Sequence, residues 1–209
     1  MKQRILLASL LALSLPALHG CFPVVATGVA VGVLAATDRR SVGTQTDDET
    51  IEWKANSRIN EKLGKKAHVN ITAYNRKVLL TGEVPDEAAR VEAGEIALKV
   101  ENVQGIYNEL KIHEPTPLSS RSADAYITSK IKARFVDNGT FSPTHVKVVT
   151  EAGVAYLMGL VNEKEAAAAI QIARTTEGVR TVVNVVELIP EAETRRIDAA
   201  RANSKDSKK

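Results

Sequence analysis

Cysteine is nearly absent from this chain: among 209 residues there is one, Cys21. A single thiol excludes an internal disulfide and leaves four roles, namely a free thiol, a nucleophile, an intermolecular bridge or a lipid attachment point. Aromatic residues are scarce, at 4%. A core must therefore be aliphatic, built of Val, Ile, Leu and Ala. A strong charge of either sign is missing too, because a net charge of +3 is too mild to predict nucleic-acid binding by itself. The chain also lacks an enzyme's constellation. It has no nucleophile–His–acid set at a plausible turn, no glycine-rich phosphate loop and no clustered metal ligands. Neither catalysis, nor a cofactor, nor a metal is expected. Of the four histidines, His68 and His145 fall before strand patterns and read as surface strand-edge residues, and the acids read as solvated helix faces.

The apolar residues that are present are concentrated at the start. Lys2 and Arg4 precede an uncharged apolar run over residues 5–15, followed by "PALHGC". A basic end, a short apolar segment and a small residue before a cleavage point are the layout of a secretory signal peptide. The run is short for a bilayer-spanning helix, which needs about 20 residues. Leu18-His19-Gly20-Cys21 resembles a bacterial lipobox, with His19 departing from the usual small residue. That resemblance implies that residues 1–20 are removed and that Cys21 is acylated and becomes the first residue. Several acyl chains would make attachment effectively permanent, at about 0.8 kcal/mol per buried CH₂. Phe22 after the cysteine, rather than Asp, favours the outer membrane under enterobacterial sorting rules.

The middle of the chain is duplicated. "VNITAYNRKVLLTGEV" from Val69 aligns without a gap with "VKVVTEAGVAYLMGLV" from Val146, bringing Leu80, Gly82 and Val84 onto Leu157, Gly159 and Val161. Each copy reads as helix, strand, strand, helix, strand. Ile51, Ala55, Ile59 and Leu63 recur every fourth residue, as on an amphipathic helix. Alternating residues 68–73 and 77–83 flank a turn at Asn75-Arg76; a helix opens at Asp86, and a strand over 105–112 closes the copy. The second copy has helices over 123–137 and 163–175 and strands over 145–149, 154–161 and 180–189, with 113–122 as linker. Gly82 and Gly159, inside strand patterns, predict a bulge or a close backbone contact with a helix.

These features resemble the BON domain, a small module of bacterial envelope proteins. The order of lipobox, "TDRRSVGTQTDD" and two copies is similar to that of dual-BON outer-membrane lipoproteins. The resemblance implies an α+β fold of two tandem BON domains. Each is an αββαβ unit with a three-stranded mixed sheet covered by two helices. The expected layout is a signal peptide at 1–20, a lipidated N-terminus and linker at 21–47, BON domains at 48–113 and 122–189 joined by 114–121, and a charged tail at 190–209. The tail is expected to form a short helix over 191–202 and then to be solvated or to assist binding to anionic surfaces.

The two copies differ on the outer face of their first helix. In the second, Ala123, Ile127, Ile131 and Phe135 form the inward stripe, and Tyr126, Ser129, Lys132, Ala133 and Val136 lie opposite with Lys130 at the flank. An aromatic ring, a small aliphatic patch and cations suit a lipid headgroup region. The equivalent face of the first copy, Lys54, Ser57, Asn60, Glu61 and Gly64, lacks the aliphatic patch and includes an acid. Trp53, also facing outward, is read either as packing between the domains or as a second interfacial anchor. The resemblance implies binding of anionic phospholipid, such as phosphatidylglycerol, through the second domain, in support of outer-membrane integrity from the periplasmic side. A protein–protein adaptor helping the outer-membrane assembly machinery is the alternative.

Overall fold

The structure is a computed structural model that describes residues 38–206, with side chains to Asn203. The signal segment, the lipobox and Cys21 lie outside the described residues. Two copies of one unit follow each other. The first runs α1 (Val42–Leu63), β1 (His68–Tyr74), β2 (Lys77–Val84), α2 (Glu87–Leu98), β3 (Gly105–Asn108) and β4 (Lys111–Ile112). The second runs α3 (Leu118–Val136), β5 (Val146–Glu151), β6 (Val154–Val161), α4 (Glu163–Arg174), β7 (Thr181–Asn184) and β8 (Glu187–Leu188); α5 (Glu191–Asp206) ends the described chain. In each unit the middle strand pairs antiparallel with the first and parallel with the last. The last strand is interrupted but keeps one register on either side of the break. At each break an asparagine side chain, Asn108 or Asn184, accepts the N–H two residues on, from Leu110 or Val186. Their recurrence in both copies follows from this substitution of side chain for ladder.

The hairpin turns are set from a distance. Asn75 and Arg76 both have positive φ, as do Ala152 and Gly153. Two successive left-handed residues make the tight turn whose twist matches the strands. In the first copy the Asp48 carboxylate accepts the N–H groups of Asn75 and Arg76 at 2.8 and 2.7 Å; in the second, Asp124 accepts those of Ala152 and Gly153 at 2.9 and 2.8 Å. Asp124 is buried whereas Ala123 is exposed, which corrects the expected inward stripe. The carboxylate turns inward because two aligned donors await it there. Asp124→Ala should cost about 2–3 kcal/mol, the worth of hydrogen bonds to a charged group, read as a lower urea midpoint for the second domain.

Each sheet buries one face under its two helices. Ile51, Ala55 and Ile59 of α1 and Ala89, Ala93 and Ala97 of α2 meet Val78, Leu80 and Val84 of β2. Ile131, Phe135, Ala166, Ala169 and Ala173 repeat this over β6. The opposite faces form a third apolar cluster that neither copy contains alone: Tyr74 and Leu79 with Tyr156, Met158 and Leu160. Alternate residues of β6 enter the second and third clusters, so this strand is covered on both faces. Polar contacts cross the seam at both ends. Tyr74 of the first domain donates its hydroxyl to the carbonyls of Thr144 and His145 at 3.3 Å, while Asn70 donates to Glu151 of the second at 2.5 Å. Lys147–Glu52 and Lys77–Glu187 ion pairs close the flanks at 2.6 and 2.9 Å.

Several expectations change. Helix α3 begins at Leu118, so half of the expected linker is helical; Pro117 before it lacks an N–H but needs none at that point. No bulge occurs at Gly82 or Gly159, whose pairing to Val69 and Val146 is unbroken. The close backbone contact is real, but it is with the carbonyls of His68 and His145 rather than with an α-helix. His145 is buried, not a surface residue, and so are Glu83, Glu151 and Glu165. The tail is docked: Thr194 is buried and accepts Asn162 Nδ2 at 3.3 Å, and Asp198 binds Arg39. Among the described residues, no helix is long and apolar enough to cross a membrane.

Candidate functional site

Helix α3 carries the surface singled out from the sequence. Ile131 and Phe135 are fully buried, and Ile127 is half-buried, so the helix is fixed in rotation by its inner face. That rotation leaves Tyr126 64% and Val136 68% exposed, with Ser129, Lys132 and Ala133 exposed between them. Arg134 reaches over the end of α4, donating to the Ile172 carbonyl and to the Thr175 and Thr176 hydroxyls, which caps that helix. It therefore belongs to the scaffold and not to the outer face.

The polar members of the face are not equivalent. Lys130 is half-buried, with Nζ 5.0 Å from the Tyr126 ring centroid and 3.3 Å from Glu177. It steadies the ring by a cation–π contact and already has a carboxylate partner. Ser129 donates its hydroxyl to the Tyr126 carbonyl at 2.7 Å, one turn back on its own helix. Lys132 makes no ion pair among the described residues and stands at the rim of a groove between the domains. This groove, about 540 Å³, is lined by α3, β5 and the β1 residues His68, Asn70, Ile71 and Thr72 of the other domain. The structure thus joins Tyr126, Lys132, Ala133 and Val136 on one exposed stripe, with Ser129 and Lys130 as supports. On the first domain, Lys54 is engaged with Glu101 and Asn60 with Asn56. Trp53 is 71% exposed and does not pack between the domains.

Sequence reading missed the groove, because its walls come from two copies whose docking it could not supply. It also missed what meets at one end of the groove: His68, Glu83 and Glu151, whose ligand atoms lie within 4.8 Å of one another.

Two αββαβ units that share a sheet-to-sheet core define a tandem α+β repeat protein. The chain belongs to the BON domain family, which matches residues 47–114 and 123–190. It is 37% identical over 174 residues to "Outer membrane lipoprotein DolP" of Haemophilus influenzae, covering 82% of this chain and 90% of that one. It is likewise 37% identical over 154 residues to the "21 kDa hemolysin" of Actinobacillus pleuropneumoniae, covering 73% and 79%. "Osmotically-inducible protein Y" of Escherichia coli is 28% identical over 162 residues, covering 76% and 81%. The first of these likenesses supports an outer-membrane lipoprotein carrying BON domains.

Proposed function

We propose that this chain is a periplasm-facing outer-membrane lipoprotein, acylated at Cys21, that binds anionic phospholipid through α3 of its second BON domain. It acts by binding rather than by catalysis and supports outer-membrane integrity. The observation that carries the reading is the exposed stripe of Tyr126, Ala133 and Val136 beside Lys132, which makes no ion pair among the described residues. A tyrosine ring sits well among acyl carbons with its hydroxyl in water. One lysine near an anionic surface contributes about 1 kcal/mol, fading within a Debye length. Such a contact is weak alone and gains from the permanent tether at Cys21, which keeps the domain at the membrane at high effective concentration. Phosphatidylglycerol is the natural test lipid.

The test is a vesicle titration of residues 38–209 followed by amide shifts. Phosphatidylglycerol vesicles should move Tyr126, Lys132 and Val136, and neutral vesicles should not. Tyr126→Glu is expected to abolish binding with an unchanged melting curve, because the side chain is already solvated. Unmoved α3 amides with anionic vesicles would sink the reading.

A further inference from the structure

At one end of the seam between the sheets, three metal-ligating groups meet. His68 opens β1 and places Nδ1 3.0 Å from Oε2 of Glu83 on β2. Glu151 ends β5 in the other domain, and the three ligand atoms all lie within 4.8 Å of one another. Both carboxylates are buried. Glu83 accepts from the Thr116 N–H and hydroxyl, and Glu151 from Asn70. Among the described residues, neither is paired with a lysine or arginine; His68 is the ion-pair partner of Glu83. Buried carboxylates normally carry a paired cation or bind a metal. Burial pushes the Glu151 carboxyl upward, only partly offset by Asn70 and His68.

The other end of the seam shows what the repeat does without these acids. There the equivalents of His68, Glu83 and Glu151 are His145, Leu160 and Tyr74. Two arginines fill that end: Arg39 donates to the Leu160 carbonyl at 2.9 Å, and Arg40 lies 4.0 Å over the Tyr74 ring. That end holds an apolar residue, a phenol and two guanidinium groups whose charges are met by acids at other positions, Arg39 by Glu165 and Asp198 and Arg40 by Asp38 and Asp48. At the end with two carboxylates the nearest guanidinium group, Arg121 of the same groove, donates to the Thr116 carbonyl at 3.0 Å, and among the described residues no arginine pairs with Glu83 or Glu151.

We propose that His68, Glu83 and Glu151 form a divalent transition-metal site, with zinc the ion that fits, clamping the two domains together. One imidazole nitrogen and two carboxylate oxygens are a zinc-type donor set, whereas calcium takes six to eight oxygens. Zinc bonds of about 2.0–2.2 Å bring neighbouring ligands to about 3.3 Å apart. His68 and Glu83 already have nearly that spacing, and Glu151, within 4.8 Å of both, has at most about 1.5 Å to close. The groove lined by His68, Asn70 and Glu151 supplies an entry path and room for a water in the fourth position. The ligands come from both domains, so binding stabilises their docking.

The test uses the full chain in detergent, stripped with a chelator and titrated calorimetrically with zinc sulfate, with magnesium sulfate as control. The expected result is one equivalent of zinc, a raised melting temperature and no magnesium uptake. Glu151→Gln should fold like the parent, because it removes a buried charge, and should weaken zinc binding by at least about 100-fold, beyond the loss typical of an outer-shell partner. His68→Gln should do the same. Absence of zinc uptake by the parent chain overturns the proposal, and so does uptake by Glu151→Gln that matches the parent.

Discussion

Replacing Arg39 by alanine is expected to destabilise the folded chain by about 3–5 kcal/mol, the usual cost of breaking a buried ion pair from one side. Arg39 has a side chain only 1% exposed. It grips Glu165 with both Nη atoms at 2.7 and 2.8 Å, and Asp198 through Nε and Nη2 at 2.9 and 2.7 Å. Burial works against its charge, but the bonds to Asp198 and Glu165 outweigh that and hold its pKa above the ordinary arginine value. Alanine would leave Glu165 buried and unpaired at the start of α4, where the same carboxylate also closes a capping box with Asn162. Asp198 is partly exposed and better solvated, so most of the cost falls on Glu165. Urea unfolding measures the loss. Hydrogen exchange should show α5 amides opening faster, because Arg39 is one of its fastenings. Lysine at this position should recover little, since it cannot form two parallel pairs to two carboxylates. A variant within about 1 kcal/mol of the parent would contradict the reading.

Gly82→Ala should be comparably damaging, at about 2–6 kcal/mol, combining the cost of an unfavourable backbone with that of an overpacked contact. Gly82 has φ of 110°, a conformation that a side chain opposes, and a Cβ there would stand 2.0 Å from the His68 carbonyl oxygen. Backbone cannot swing away as a side chain can, so β1 and β2 must part where Val69 faces Gly82. Gly159→Ala is the internal comparison. Its Cβ would meet the His145 oxygen at 2.5 Å, without a positive φ. It should cost about 1–3 kcal/mol, the overpacking part alone. Equal losses for the two variants, read from denaturation midpoints, would show that φ contributes nothing.

Local chemistry was legible along the chain. The hairpin turn at Asn75-Arg76, the helix opening at Asp86 and the strand Val154–Val161 follow from period-2 alternation, turn residues and a capping acid. The outer face of α3 was legible for the same reason: Tyr126, Ala133 and Val136 fall on one side of any helix. Ala123 was misplaced because periodicity favours the small apolar residue, whereas the donors waiting for Asp124 come from a turn 28 and 29 residues later. The burial of Glu83 and Glu151, both on strands, had no signal in the sequence, because nothing near them shows that another sheet covers them.

What the sequence determined by itself, then, was the duplicated unit, the elements of each copy and the polarity of each helix, because these depend on neighbours within a few turns. What only the tertiary structure decided was how the copies dock. The bare faces of two sheets close on each other, Arg39 reaches carboxylates 126 and 159 residues away, and His68 meets two glutamates from different domains. Burial of a charge depends on what folds over it, and at these separations that is a property of the assembled chain.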